Sequence, residues 1–452
     1  MLVRFSVENF KSFKDQIVFS MVATKGTRHS DHIHTMNTKR ILKGSFLFGA
    51  NASGKSNFVE AIAFAQKLVL QGVESVDSEK KHFRLSKDSA TKPGVFQFEF
   101  MVDKLVYSYG FAFSYSSKSI VSEWLTQTLQ DTPKYVFNRE TAEDGVITVE
   151  TEMSIASKSD KNKFAVYASD FKNVDNFPLL RTFMLTDIAK RGNSDSPFFK
   201  AFTEAFNWMK SLVVLFPNSK YMGLGSIATD EAKRHQFALI LQYFDTGIQS
   251  IEAEEISLDK LLQEMPDTTR QNLIQDLNAQ IGKTPKMYSD GTNFFTLRRD
   301  SEGNIVASKM LLDHGNADEL FESREESDGT RRLFDLIPLL LQRESRVIVI
   351  DEIDRSLHSK LVEEFIAKFY ENTKGSAIQL IASTHDSNVL DLQKLRQDEI
   401  WFIERQQDCS SRLFSLSEFK ERFDRNIEKD YLLGRYGAIP LFKTWEAESS
   451  GE

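Results

Sequence analysis

A glycine-rich segment that ends in lysine and serine is the part of the sequence best suited to chemistry. It reads Gly-Ala-Asn-Ala-Ser-Gly-Lys-Ser-Asn over residues 49–57, follows the apolar run 46–48, and precedes a helical pattern that starts at Phe58. A strand, a glycine-rich turn and a helix N-terminus in this order present backbone N–H groups to phosphate. The segment therefore predicts a phosphate-binding loop for a nucleoside triphosphate.

The residue types of this loop suit separate tasks. Gly49 and Gly54 permit the turn, Lys55 is expected to place a positive charge on the β- and γ-phosphates, and the Ser56 hydroxyl is expected to ligate Mg²⁺. The predicted nucleotide contacts are Gly49, Asn51, Ser53, Gly54, Lys55, Ser56 and Asn57.

Two apolar strands near the end of the chain each finish in polar residues. The run 347–350 leads into Asp351 and Glu352, and the run 379–382 leads into Ser383, Thr384 and His385. Because ligands bind at the carboxyl ends of parallel strands, these side chains should share one sheet edge. We predict that Asp351 holds Mg²⁺, that Glu352 is the general base, and that His385 contacts the γ-phosphate. For His385 a capping role is the alternative.

Composition limits the class of protein. The 452 residues are 41% hydrophobic and 27% charged, with a net charge of −8 and a pI near 5.7. This balance indicates a globular protein and gives no support for a uniformly basic nucleic-acid surface. The single Cys409 excludes an intrachain disulfide, and the sequence contains neither a secretory signal nor an apolar run long enough for a membrane span. We expect a cytoplasmic protein.

The pattern of apolar residues predicts an α/β fold with a mixed sheet, an antiparallel β subdomain and a helical insertion. Residues 94–113 alternate as a hairpin, residues 179–277 have helical spacing, residues 293–310 return to strand character, and residues 326–405 alternate helix and buried strand. The predicted domains are an N-terminal lobe at 1–178, a helical insertion at 179–285, a C-terminal lobe at 286–445 and a disordered tail at 446–452.

A second anion-binding device precedes the helix 331–342. It consists of Glu326-Ser327-Asp328-Gly329-Thr330, in which a serine and a glycine lie at a helix N-terminus. With this device the chain resembles the ATP-binding-cassette (ABC) ATPases of the SMC, RecF and OLD type. Segment 8–13 also resembles the opening strand of SMC-type heads. The resemblance implies an ABC-type P-loop ATPase fold, with ATP and Mg²⁺ as ligands.

The same resemblance implies roles for the remaining motifs. Ser327, Asp328 and Gly329 match the signature motif, which in that family contacts the γ-phosphate held by the other protomer, although Glu326 stands where leucine is common. Residues 353–358 match the D-loop, and His385 matches the switch histidine. We therefore expect a head-to-tail homodimer, or a higher oligomer, that hydrolyses ATP at shared sites.

A narrower resemblance is to the AAA_15/AAA_21 group of OLD-like bacterial ATPases, which includes the RloA and AbiLi proteins. It is carried by residues 244–248, 326–333, 351–358 and 431–440. This resemblance implies a sensor or scaffold that controls a separate effector, a nuclease or a toxin, in defence against bacteriophage. A RecF- or SMC-like ATPase that binds DNA in repair is the alternative, so DNA or other nucleic acid stays open as a partner. A transporter subunit fits the sequence poorly, and no membrane partner is expected.

Several other residues could carry function. Glu404 ends a strand that resembles the first strand of a Toprim nuclease, but no later strand ends in an Asp-x-Asp pair, so a structural role is favoured and no nuclease activity is expected. For His29, His32 and His34 a solvated loop is favoured over a metal site, and for Arg331 and Arg332 ion pairing with a partner is favoured over phosphate binding. Gln97, Gln66 and Gln71 are the candidates for a Q-loop residue.

Overall fold

The computed structural model describes residues 1–36, 38–129, 132–142, 145–172, 181–191, 196–219, 230–264, 270, 286–289, 294–299, 301–316, 319–341, 344–419 and 421–439. The chain forms two compact units. The first comprises Met1–Phe216, Glu344–Ile353 and Thr373–Glu452, and the second comprises Pro217–Arg343 and Asp354–Asn372. These limits differ from the predicted domain boundaries, because strands from both ends of the chain pair in one sheet. The predicted tail 446–452 lies outside the described residues.

Twenty strands and nine α-helices are described. The strands are β1 Leu2–Glu8, β2 Ile17–Ser20, β3 Ile33–Met36, β4 Lys39–Leu42, β5 Gly44–Phe48, β6 Gly94–Val102, β7 Leu105–Ser114, β8 Ser119–Leu129, β9 Thr132–Thr141, β10 Ile147–Glu150, β11 Val213–Leu215, β12 Ser250–Ile256, β13 Lys286–Ser289, β14 Phe294–Arg299, β15 Ile305–Asp313, β16 Phe321–Glu322, β17 Val347–Ile350, β18 Gln379–Ser383, β19 Ile400–Arg405 and β20 Ser411–Ser415. The helices are α1 Lys55–Gln71, α2 Lys158–Lys172, α3 Met184–Lys190, α4 Pro197–Ser211, α5 Glu231–Tyr243, α6 Leu258–Glu264, α7 Asp328–Leu340, α8 Ser359–Asn372 and α9 Ile427–Leu432.

A six-stranded sheet in the first unit has the order β11-β17-β18-β5-β19-β20. The first five strands are parallel and β20 is antiparallel to β19. Every residue of β5, β17 and β18 is buried, as expected for parallel strands covered on both faces. Strand β18 lies between β17 and β5, so the carboxyl ends of all three meet at one edge.

A seven-stranded antiparallel sheet in the first unit has the order β10-β9-β8-β7-β6-β1-β2. The predicted hairpin is present as β6 and β7, and it turns at Asp103, whose φ is 51°. Because alternate residues of β6 are buried, the sheet packs one face against the core. The predicted fold class, an α/β protein with a mixed sheet and an antiparallel β subdomain, is confirmed.

Helix α1 lies in a continuous hydrophobic core that the two sheets of the first unit share. The rings of Phe5 on β1 and Phe58 on α1 have centroids 5.6 Å apart. Those of Phe19 on β2 and Trp401 on β19 are 5.1 Å apart. Edge-to-face and tilted aromatic pairs of this kind add to the free energy of burial. The helix that leaves the loop at 49–54 is therefore anchored on several elements.

The second unit contains a separate sheet of order β12-β15-β14-β13, with β16 paired to β15. Helix α5 contacts α7 through Phe237 and Phe334, whose ring centroids are 5.4 Å apart. It also reaches α8 through Tyr243, because the Lys368 ammonium lies 4.9 Å from the centre of that ring.

Two details differ from the sequence prediction, and part of one predicted helix lies outside the described residues. The predicted helical insertion contains helices α3 to α6 but also the strands β11 and β12, so the helix expected to reach Val214 ends at Ser211. The last helix of that region is described only as far as Glu264. The histidine loop is not simply solvated, because His32 is buried and its Nδ1 lies 3.0 Å from Glu399 Oε2.

No helix among the described residues has both the length and the apolar character needed to span a membrane.

Candidate functional site

The predicted phosphate-binding loop joins the buried strand β5 to the first turn of α1. Residues 49–54 form the turn, and Lys55 begins the helix. Gly54 has a φ of 119°, which L side chains rarely adopt, and a Cβ there would lie 2.5 Å from Ser411 Oγ and 2.8 Å from Ser12 Oγ. Glycine at position 54 therefore satisfies both the conformation and the packing of the loop.

Two serines outside the loop support it. Ser411 Oγ, on β20, donates a 2.5 Å hydrogen bond to the Ser53 carbonyl. Asn57 Nδ2 donates to Ser12 Oγ at 2.8 Å, and the Ser411 amide donates to the Ser12 carbonyl at 2.7 Å. The sequence analysis does not identify Ser12 or Ser411 as supporting residues, because Ser411 lies 358 residues from Ser53 along the chain and even further from Ser12.

Lys55 is buried and its ammonium points back into the loop. Lys55 Nζ donates to the Gly49 carbonyl at 2.5 Å and to the Ala50 carbonyl at 3.2 Å. It also lies 3.3 Å from His385 Nδ1. A positive charge held by loop carbonyls is well placed to exchange these oxygens for those of a phosphate.

The two predicted carboxylates have different surroundings at the end of β17. Asp351 is 3% exposed, its amide donates to the Leu215 carbonyl at 2.8 Å, and its Oδ1 accepts a 2.6 Å hydrogen bond from Ser383 Oγ. The Glu352 side chain is 34% exposed. Its backbone has a φ of 50°, which is uncommon for a residue other than glycine. This conformation makes Glu352 one of the strained positions that often accompany function.

His385 follows β18 and faces both neighbours. His385 Nε2 lies 3.7 Å from Glu352 Oε1, and His385 Nδ1 faces Lys55. The structure thus brings together Lys55, Glu352 and His385, which come from three separate segments of the sequence. Their relative position agrees with the predicted sharing of one sheet edge.

A cavity of about 520 Å³ opens on this edge. It is lined by residues 50–57, Glu352 and His385, so hydroxyl, amide, ammonium and carboxylate groups form its wall without a large apolar side chain. Ser53 Oγ is buried and makes no hydrogen bond within the described part of the chain. A buried hydroxyl of this kind can donate a hydrogen bond to a phosphate oxygen. The exposed Ser56 hydroxyl and the two acids that follow β17 are oxygen ligands that suit Mg²⁺. The residues present therefore fit a triphosphate and a magnesium ion.

The signature segment belongs to the second compact unit. Ser327 is the N-cap of α7, because its Oγ accepts a 3.1 Å hydrogen bond from the Thr330 amide. A Cβ at Gly329 would lie 2.9 Å from the carbonyl of Ser356, in the predicted D-loop. Glycine thus allows the two segments to approach closely. Glu326, the residue that departs from the family pattern, lies 2.6 Å from His314 Nε2.

A cavity of about 280 Å³ in the second unit is lined by three arginines and two aspartates, together with Pro217, Asn218 and Ser356. Arg331 pairs with Asp328 on the same helix, and Arg355 donates a 2.8 Å hydrogen bond to Asn218 Oδ1. Arg332 is buried. The Arg331–Asp328 pair is a contact within the chain, so ion pairing of Arg331 and Arg332 with a partner stays a prediction.

Three sequence candidates lie outside the loop cavity. Gln66 donates to the carbonyls of Met209 and Leu212, and Gln97 donates to Ser108 across the hairpin, so neither lines that cavity. Gln71 is exposed at the end of α1 and is also absent from its lining.

Glu404 contacts the segment 431–440 that carries the narrower family resemblance. Its Oε1 accepts a 3.3 Å hydrogen bond from the Ala438 amide. Tyr436 stacks on Phe402 with centroids 5.5 Å apart, and Tyr431 Oη donates to the Ala438 carbonyl at 3.1 Å. These contacts support the structural role predicted for Glu404. Pro440 lies outside the described residues.

Comparison with known proteins identifies a family over both units. The model described as "AAA domain, putative AbiEii toxin, Type IV TA system" matches residues 45–153 and 196–391, more than half of the chain. No curated protein is matched.

Among solved structures, the chain is similar to heads of SMC proteins. An SMC head bound to the C-winged helix domain of ScpA is 14% identical, with a TM-score of 0.42 over 93% of this chain and 99% of that chain. The SMC head domain from Thermotoga maritima is 13% identical, with a TM-score of 0.34 over 92% and 98%. An SMC head derived from Pyrococcus furiosus, bound to the C-terminal domain of ScpA, is 13% identical, with a TM-score of 0.37 over 93% and 99%.

The family match spans the phosphate-binding loop, the signature segment, the paired acids and His385. The chain belongs to the AAA_21 family, whose model describes an AAA domain.

Proposed function

We propose that this protein is an ATP hydrolase whose nucleotide state controls a separate effector protein. The observation that carries the catalytic part is the convergence of Lys55, Glu352 and His385 on the cavity of the loop 49–57. Backbone N–H groups of the loop and the first turn of α1 would bind the phosphates, and Lys55 would neutralise charge that develops between the β- and γ-phosphates.

Ser56 and Asp351 would hold Mg²⁺. When bound, this ion neutralises phosphate charge and orients the β- and γ-oxygens. Ser56 is the second residue of α1, next to Lys55, and Asp351 is fixed by its hydrogen bond from Ser383.

Glu352 would act as general base toward the attacking water. Its carboxylate lies on the cavity and is half-buried, so a water molecule can reach it. His385 would orient the γ-phosphate, since its two ring nitrogens face Glu352 and Lys55. Removing the base should slow hydrolysis far more than it weakens nucleotide binding.

The signature segment supports a dimer in the proposal. Ser327 is the N-cap of α7, and this helix N-terminus would bind a second anion in a chain whose loop cavity would hold one triphosphate. In the proposed homodimer each ATP is held by the loop of one protomer and by Ser327 and Gly329 of its partner. ATP binding closes the dimer and hydrolysis opens it.

The family description supports the biological part of the proposal, because it refers to AbiEii and to a toxin–antitoxin system. We place the protein in the bacterial cytoplasm, as a sensor or scaffold in phage defence whose effector is a nuclease or a toxin. Within the described residues no group of three or more His, Cys, Asp or Glu side chains could hold a metal ion.

The first experiment tests the base. Glu352→Gln should reduce kcat by about 10²- to 10⁴-fold and leave the ATP Kd nearly unchanged, because a general base typically contributes a factor of this size. Closed dimers should accumulate with ATP, as measured by light scattering after size exclusion. Glu344→Gln is the matched control, since Glu344 lies before the opposite end of β17 and pairs with Arg346. Full turnover by Glu352→Gln would refute the assignment.

The second experiment tests the shared site. Ser327→Arg should abolish ATPase activity without weakening nucleotide binding to the monomer, because in the proposed dimer Ser327 contacts the nucleotide of the partner protomer. A wild-type rate for this variant would reject the dimeric site. ATPase activity of the wild-type protein that rises with DNA and falls steeply with salt would instead favour the DNA-binding alternative.

A further inference from the structure

Ser383 makes an unusual set of contacts for a residue of a buried parallel strand. Its Oγ donates to Asp351 Oδ1 at 2.6 Å and accepts from the Glu352 amide at 2.8 Å. Its backbone carbonyl accepts from the Ile353 amide at 3.0 Å. One fully buried residue therefore contacts three consecutive positions of the segment that carries the predicted magnesium ligand and base.

The Ser383 hydroxyl restrains two groups of the site, the carboxylate of Asp351 and the backbone of Glu352. Because it donates to Asp351, it restrains the carboxylate of that residue to one orientation. Because it accepts from the Glu352 amide, it stabilises the backbone of Glu352 in its left-handed conformation, with φ at 50°. A short hydrogen bond to an ionised acceptor is among the stronger bonds in proteins.

Ser383 also lies between the two halves of the site. It belongs to β18, where its register partner on β5 is Leu47, and the next residue, Thr384, donates its amide to the Leu47 carbonyl. His385 directly follows Thr384. The strand that presents His385 is thus the strand whose hydroxyl orients Asp351 and Glu352.

We infer that Ser383 is a positioning residue, which sets the orientation of Asp351 for the magnesium ion and the backbone of Glu352 for the base. This role extends the proposed function and rests on it for the effect on turnover. The effect on metal binding is independent of turnover. The sequence analysis places Ser383 among the polar residues that follow the apolar run 379–382 but assigns it no role, because a serine there carries no chemical signal by itself.

The experiment uses three substitutions at position 383 in the full-length protein. Ser383→Ala removes the hydroxyl. Ser383→Cys keeps a side chain of similar volume but replaces the hydroxyl with a thiol, which is a weak donor, and Ser383→Thr keeps the hydroxyl. Ser45→Ala is the matched control, because Ser45 is buried in the adjacent strand β5 and its Oγ donates to the Glu399 carbonyl at 3.1 Å, away from the cavity.

Two readouts distinguish positioning from general stability. The first is the concentration of Mn²⁺ at which a non-hydrolysable ATP analogue binds half-maximally, compared with binding of the same analogue in EDTA. For Ser383→Ala and Ser383→Cys this concentration should rise by about 10-fold or more, the size expected for a lost hydrogen bond to a charged group, while metal-free affinity stays within about twofold. The second is kcat, which should fall by about 10-fold or more.

Ser383→Thr should restore both quantities toward wild type, and Ser45→Ala should leave both unchanged. If alanine at 383 prevents folding, the cysteine variant decides the matter. A wild-type Mn²⁺ requirement in both the alanine and the cysteine variant would overturn the inference, as would an equal rise in Ser45→Ala. If wild-type protein binds nucleotide without hydrolysing it, the proposed function fails, and the Mn²⁺ requirement still tests Ser383.

Discussion

A buried ion pair in the antiparallel sheet should dominate the stability of the first compact unit. Glu123 on β8 and Arg139 on β9 are both fully buried, and Glu123 Oε2 lies 3.7 Å from an Arg139 guanidinium nitrogen. Glu123 also accepts hydrogen bonds from the Tyr109 hydroxyl and from the amides of Met184 and Leu185 at the start of α3, at 2.7 to 3.0 Å. The carboxylate thus joins the sheet to that helix.

The two charged groups differ in the other contacts that stabilise them, and this difference sets the expected loss of stability for each substitution. Glu123→Gln removes the acidic partner of a buried guanidinium, which also donates a 2.8 Å hydrogen bond to the neutral Thr182 carbonyl. We expect this change to lower the free energy of unfolding by about 3–5 kcal/mol. Arg139→Met should cost less, because the carboxylate keeps its three donors. The double variant should be at least about 1 kcal/mol more stable than the sum of the single effects predicts.

The pH dependence gives an independent check. Burial raises the pKa of Glu123, and the Arg139 charge opposes that rise. In Arg139→Met the opposition is lost, so the pKa of Glu123 in the folded state should rise further above its unfolded value. A carboxyl with a raised pKa binds its proton more tightly when folded, so its contribution to stability falls as pH increases. Arg139→Met should therefore lose more stability at pH 8 than at pH 5.

Urea unfolding followed by tryptophan fluorescence measures all four proteins. A loss below about 1 kcal/mol in Glu123→Gln, or strictly additive single effects, would refute the view that this pair holds the sheet and α3 together.

Two further predictions concern Lys43 and Gly54. Burial lowers the pKa of Lys43 from 10.5 to about 8, although Asp31 and Glu399 act in the opposite direction. The charged lysine therefore lowers the free energy of unfolding by about 3 kcal/mol below pH 8, and by progressively less as the pH rises toward 10.5. Lys43→Met should be more stable than wild type at pH 7, with a margin that shrinks between pH 8 and pH 9 in urea unfolding; an equal margin at every pH would contradict the explanation. Gly54→Ala should weaken ATP binding at least about 10-fold, measured by titration calorimetry, because φ and contacts at position 54 together oppose a Cβ by about 2 kcal/mol or more. Unchanged affinity would show that the loop rearranges freely.

The parts of the site that could be predicted from the sequence are those with a local signal. Such signals combine residue type with spacing. They occur in the loop 49–57, in the apolar strands that lead to Asp351 and His385, and in the hairpin 94–113. The structure has the corresponding elements. The general rule that ligands bind at the carboxyl ends of parallel strands was then enough to predict that Glu352 and His385 lie at one edge of the sheet, as they do in the structure.

The parts that could not be predicted depend on contacts between distant segments. Ser12, Ser383 and Ser411 are small polar residues in ordinary surroundings, and only the pairing of the strands shows that they support the loop and the acids. Strand β12 has acidic residues at three of its seven positions, and its apolar residues do not alternate cleanly with polar ones. Its periodicity therefore did not separate it from the helices around it. His32 has a partner, Glu399, that lies 367 residues away.

The order of strands in the parallel sheet has a consequence for synthesis of the chain. Among the strands that the structure describes, β5 pairs with β18 and β19, which begin at Gln379 and Ile400. By contrast, β1, β2 and β6 to β10 are complete within the first 150 residues. A ribosome that adds about 5–20 residues per second therefore exposes the loop strand for at least about 15 seconds before its neighbours exist. The antiparallel sheet can form first, and the parallel sheet around the loop 49–57 can form only after β18 and β19 have been synthesised.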